Sequence, residues 1–190
     1  PELSLTQRLR LLRALGVIDD DHARHALLAM LACPNRELRE QVLVALARQN
    51  LTLSTAQRDL VLTQIDGELS DAAWLLQQLC ACRGDGELSI LAPLREQLQA
   101  VRRRLLLLLQ LSHDRDAIAQ VRDRIDDGVP ERRAYALELL DNLLHADLKQ
   151  RLLAHFEGHG EAACLLALRL PQAESMPIQQ RRLLIEQVAA

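Results

Sequence analysis

Six aliphatic residues in one stretch, Leu91, Leu94, Leu98, Val101, Leu105 and Leu108, recur at alternating spacings of three and four. That period draws one stripe along an α-helix and is incompatible with the every-second-residue alternation of a half-buried strand. A helix carrying such a seam packs along its full length. Composition points the same way. Aromatic residues make up only 2% of the 190, namely Trp74, Tyr135 and Phe156. Sheets draw on β-branched and aromatic side chains, whereas the Leu and Ala that dominate here are strong helix formers. The expected fold is all-α with an aliphatic core.

Local signals divide the chain into helices. Ser4 and Gln7 fit a capping box, Leu5, Leu9 and Leu12 follow on one stripe, and Gly16 ends that helix. Asp19, Asp20 and Asp21 suit the positive N-terminus of a second helix, which stops before Pro34. A third covers roughly Arg36 to Gln49, with Leu38, Val42, Ala45 and Leu46 inward. A second capping box, Ser54 and Gln57, opens a helix to about Asp66. Gly67 predicts a break before a helix from about Ser70 to Cys82, and Gly84-Asp85-Gly86 reads as a loop. The leucine-seamed helix runs from about Leu91 to Leu111, and another from Asp114 is closed by Gly128. Pro130 sits at a favoured first helical position, with Ala136, Leu139, Leu140, Leu143 and Leu144 on the inward face. Asp147 to Glu157, Glu161 to Leu170 and Pro177 to Ala189 complete the set.

Short turns between many helices suggest an α-solenoid or a compact bundle. Leu38-Arg39, Val42, Ala45 and Leu46 share their spacing with Arg132-Arg133, Ala136, Leu139 and Leu140, and each set follows a proline-containing turn. The pattern resembles the second helix of a HEAT repeat, whose period of roughly 40 to 47 residues gives room for about four helical hairpins. We expect a single HEAT-like domain spanning 1–190, excised from a longer protein, with a compact helical bundle as the alternative.

Formal net charge is -3, which argues against a general nucleic-acid binder. Basic residues are nearly all arginine, with Lys149 the single lysine, as codon usage in a GC-rich genome would give. No stretch approaches the roughly 18 to 20 apolar residues of a membrane span. The run Leu105 to Leu109 is flanked by Arg102, Arg103, Arg104 and Gln110 and reads as a buried helix segment. Cys33, Cys80, Cys82 and Cys164 lie scattered in apolar contexts and read as reduced thiols.

Candidate chemistry is sparse. His22 and His25, beside Asp19 to Asp21, have one helical spacing that zinc ligands use; an exposed polar helix start is the simpler account. His155 and His159 are four apart, but Gly158 and Gly160 around the second predict a helix end there. Cys80 and Cys82 point about 200° apart on a helix. No serine sits in a nucleophile elbow, and Gly84-Asp85-Gly86 is too short for a phosphate cradle. We therefore expect no enzyme active site, no metal and no cofactor. Arg102, Arg103 and Arg104 form the one compact basic run, and with Arg132 they are the expected partner contacts. Arg133 is expected to brace a neighbouring turn.

The segment from Leu105 to Leu144, "LLLLLQLSHDRDAIAQVRDRIDDG" followed by "VPERRAYALELLDNLL", resembles the HEAT-repeat part of large bacterial membrane proteins similar to major-facilitator-type nucleotide (ATP/ADP) transporters. In those proteins a cyclic-nucleotide-binding module often follows. Its most specific piece is Arg132 to Leu144. This chain has neither a membrane span nor a β-roll, so neither transport nor cyclic-nucleotide binding carries over. The resemblance implies a cytoplasmic interaction or coupling domain at the bacterial inner membrane, with adjacent domains or another protein as partner and no catalytic residue. Two other readings are a small-molecule-binding regulatory domain, with a pocket near Trp74, Arg83 and Arg95, and a HEAT-like DNA-repair glycosylase. Scarce aromatics and low charge weigh against the last.

Overall fold

A computed structural model describes residues 3–18, 20–49, 51–85, 88–157 and 164. Among these residues the secondary structure is entirely helical: α1 (Leu5–Leu15), α2 (Asp21–Ala29), α3 (Arg36–Ala47), α4 (Thr55–Asp85), α5 (Leu88–Ser112), α6 (Arg115–Ile125), α7 (Pro130–Leu143) and α8 (Ala146–Leu152). Short 3-10 turns, Met30–Ala32 and Leu153–His155, follow α2 and α8.

Side chains fix most of the helix starts. The Ser4 amide donates to Gln7 Oε1 at 2.9 Å while Ser4 Oγ accepts from the Gln7 amide at 3.3 Å, and Ser54 and Gln57 repeat the device at 2.9 and 3.4 Å. Asp20, Asn35 and Asp114 each accept amide bonds at the heads of α2, α3 and α6. Pro130 stands in the first turn of α7.

Two expectations fail on α4. It runs through Gly67 without a break and continues to Asp85, so Gly84 and Asp85 are helical; Gly86 lies outside the described residues. Val61, Ile65, Leu69, Ala72, Leu76 and Leu79 are all buried, one stripe that continues across the glycine. Gly67 is exposed, and a Cβ there would meet nothing within 4 Å. A glycine costs a helix roughly 1 kcal/mol relative to alanine, less than the packing of that stripe. Helix α5 starts at Leu88, earlier than expected, and runs through Pro93. Of the last two expected helices only Cys164 is described; it is helical and buried, and the rest of both lies outside the described residues.

The long helices α4 and α5 pack on each other most extensively, and α5 also carries α3 and α6, which makes it the central helix. At about 1.5 Å per residue, the 31 residues of α4 span about 46 Å. Helix α3 lies on α5, α1 on α3, α6 on α5, and α7 on α6. Every residue of the expected α5 seam is buried, and so is each of Leu105 to Leu109. Five consecutive buried leucines cover every direction around a helix, which makes this part of α5 a fully enclosed core element. At Gly16 a Cβ would stand 2.8 Å from Ala45 Cβ, so α1 meets α3 at a distance that requires glycine.

Candidate interaction groove

Helical spacing aligns Glu40, Val44, Ala47 and Arg48 on one face of α3, and Arg103, Leu107 and Gln110 on one face of α5. Arg115 and Arg122, two turns apart on α6, face the same space, with Asp126 just past the helix end. Because α3 and α6 both lie on α5, these faces enclose a groove of about 630 Å³ with α5 as its floor. A smaller hollow of about 220 Å³ adjoins it, sharing Ala47, Gln110 and Arg115 and adding His113.

The groove is lined by four guanidinium groups and two carboxylates, although the chain as a whole carries -3. Arg48 is exposed, and the Arg103 side chain is 53% exposed. Arg122 Nη1 donates to Gln110 Oε1 at 3.0 Å, which ties α6 to the floor. Glu40 is shared: Oε1 lies 3.8 Å from Arg103 Nε and Oε2 lies 3.8 Å from Arg104 Nη1.

Beneath the groove lies a buried ion cluster. Arg104 donates from Nε and Nη2 to the two oxygens of Glu68 at 2.9 and 2.8 Å. Both are sealed from water, at 2% and 4% exposure. This fork-to-carboxylate geometry is the strongest form of the pair. Arg39 stands 3.6 Å from the same carboxylate and also donates to the carbonyls of Cys33 and Pro34 at 2.9 and 3.3 Å. Alternating charges thus run from the surface at Arg103 through Glu40 and Arg104 to Glu68 and Arg39, joining α3, α4 and α5.

The basic run therefore does not act as a unit. Successive residues on a helix diverge by about 100°, and each arginine goes its own way. Arg103 enters the groove. Arg102 is half-buried and lies close enough to the buried His155 to depress its pKa. Arg104 points into the core, which corrects its expected role: a side chain at 2% exposure and saturated by Glu68 has no face for a partner. Arg132 is exposed, outside the groove, and donates to Asp127 at 3.0 Å. That hydrogen bond, with the Val129 amide, holds the Asp127 carboxyl below its ordinary value. Arg133 Nη2 donates to the Phe156 carbonyl at 2.7 Å and braces the turn after α8.

The remaining candidates stay apart. His22 is exposed beside Asp20, while His25 Nδ1 lies 2.7 Å from the Asp21 carbonyl. Among the described residues no group of three or more His, Cys, Asp or Glu side chains is placed to hold a metal ion. Ser112 Oγ lies 2.9 Å from His113 Nδ1, but it also bonds back to the Leu108 and Leu109 carbonyls, as helix-end serines do. Trp74 is half-buried against the core, and neither hollow touches Trp74 or Arg95; the Arg83 side chain lies outside the described residues. Arg48, Arg115 and Arg122 were not singled out by the sequence. Their one sequence signal is periodic, a seven-residue step on α6 and the Glu40–Val44–Ala47–Arg48 face on α3.

No protein-family model, no curated protein and no solved structure matches this chain. Among the described residues no helix is long and apolar enough to cross a membrane.

Proposed function

We propose that the chain is a non-enzymatic HEAT-like interaction domain that binds protein through the groove formed by α3, α5 and α6. The observation that carries the reading is the groove itself. Helices α3, α5 and α6 jointly line it with four arginines, and surfaces assembled from several helices are what solenoids use for partners. The repeat reading rests on the shared sequence spacing of α3 and α7, in which Arg39 and Arg133 are each the fourth residue; Arg39 donates back to the turn before its own helix and Arg133 forward to the Phe156 carbonyl. The resemblance of Leu105 to Leu144 supplies the context: a domain at the cytoplasmic face of the bacterial inner membrane, coupling a transporter-like part to a regulatory module.

Site-specific photo-crosslinking in cells tests this. A photoreactive residue at Arg48 or Arg122, in the groove, is expected to give discrete adducts with another protein or domain. The same residue at Arg58, exposed on α4 and outside the groove, is expected to give none. Adducts from Arg58 alone, or from no position, would contradict the reading.

A further inference from the structure

We infer that the exposed surface of α1 and the turn after it is a contact between two copies of this chain related by a two-fold axis. The arginines of α1 on one copy meet the aspartates that open α2 on the other. This surface is separate from the groove, and the inference does not depend on what the groove binds.

Exposed aliphatic side chains concentrate here. Val17 is 80% exposed, and Leu3, Leu5, Leu11 and Ile18 are each at least 41% exposed. Elsewhere the described residues expose only Leu62, Val129 and Tyr135 among large apolar side chains. A cluster of this kind marks an interaction surface, where single exposed leucines do not. Its frame is fixed. The Val17 and Ile18 amides donate to the Ala14 and Leu15 carbonyls at 3.1 and 3.2 Å, and Leu12 and Gly16 seat α1 on α3. Charge names the occupant. From Leu3 to Ile18 every charged residue is an arginine, Arg8, Arg10 and Arg13, and Asp19, Asp20 and Asp21 follow at once. Arg10 and Arg13 are exposed and three apart on one face of α1, and among the described residues neither has an ion-pair partner. At the head of α2, Asp20 accepts from the His22 amide and remains exposed. Asp21 pairs with Arg24 at 2.7 Å, but its side chain is 78% exposed and keeps room to accept from a second guanidinium. A two-fold axis at the aliphatic turn lays the basic side of each copy on the acidic side of the other, the self-complementary arrangement of an isologous dimer. An anionic bilayer or a uniformly acidic protein would attract the arginines but repel the three aspartates beside them. Five aliphatic side chains are far fewer than the roughly 20 to 30 residues a side of a standard interface, so the expected dimer is weak and reversible.

The test is sedimentation velocity of the full chain from about 1 to about 500 µM, the range of a weak interface. A monomer–dimer equilibrium is expected, shifting towards monomer as salt rises from about 50 to about 300 mM. Val17→Asp is expected to weaken dimerisation by roughly tenfold or more, because it puts two carboxylates at the centre of the contact. Exchanging the charges tests the register. Arg10→Glu with Arg13→Glu sets like charges against Asp20 and Asp21, and Asp21→Arg sets like charges against Arg10 and Arg13. Each variant alone is expected to be monomeric across the range. Mixed in equal amounts they are expected to associate with each other, since the exchanged charges are again opposite across the contact. All the substituted positions are exposed, so melting close to that of the unaltered chain is expected and checks that each variant is folded. An unaltered chain that is monomeric throughout, a dimer indifferent to Val17→Asp, or folded charge variants that fail to associate on mixing would overturn the inference. Binding to phosphatidylglycerol vesicles that is tighter than self-association, and lost in Arg10→Glu with Arg13→Glu, would make an anionic bilayer the occupant and overturn it as well.

Discussion

His155 shows how one buried side chain sets a pH response. It is 1% exposed, and its Nδ1 has no hydrogen-bond partner. Burial, reinforced by the Arg102 guanidinium, lowers its pKa from 6.5 to about 4. The folded chain keeps this imidazole neutral where the unfolded chain accepts a proton. Its contribution to stability is therefore complete above about pH 6.5 and is lost progressively as the pH falls towards 4. The loss amounts to about 2–4 kcal/mol across that window. His113, also lowered by desolvation, acts in the same direction. Urea denaturation between pH 7 and pH 4 is expected to show this decline. His155→Leu is expected to flatten most of it, and an unchanged slope in that variant would contradict the assignment. Neither effect was legible in the sequence, where His155 reads only as one of a histidine pair. Its environment is made by α5, a helix some fifty residues earlier in the chain.

At the scale of elements, what the sequence revealed was local and what it hid was tertiary. The capping boxes and the α5 seam are interactions across three or four residues, and they appear as expected. Gly67 was misread because a glycine signals a break only when packing does not hold the helix, and here the buried stripe from Val61 to Leu79 does. The arginine run was half-legible. Its divergence around the helix follows from geometry, but the destination of Arg104 depends on Glu68, thirty-six residues away on α4. That pair makes a sharp prediction about α4 and α5. Arg104→Met leaves the Glu68 carboxylate buried with only Arg39 at 3.6 Å, and should cost about 3–5 kcal/mol. Arg104→Met with Glu68→Leu should cost less than the single change. Arg39 keeps the Cys33 and Pro34 carbonyls, and Glu40 keeps Arg103. Urea midpoints decide this; a double variant destabilised by the sum of the two single changes would show that the pair is not coupled.

Across the whole molecule, a core of leucine and alanine holds helices of unequal length in successive contact, and the charged groups are sorted by depth. Those that must be buried are matched to one another beneath α3, and four more exposed arginines line the groove above. That separation of a neutralised interior from an arginine-lined groove is the physical basis for reading the molecule as a binding surface. The groove was invisible from the sequence because its three walls belong to segments that only folding brings together. Hydrogen–deuterium exchange of the full chain, with and without the protein that crosslinks from Arg48, tests the claim most directly. The account predicts slowed exchange in α3, in the Arg103 to Ser112 part of α5 and in α6, with α1 and the first turns of α4 unchanged. Protection confined to α1 or α4, or none in the groove helices, would contradict it.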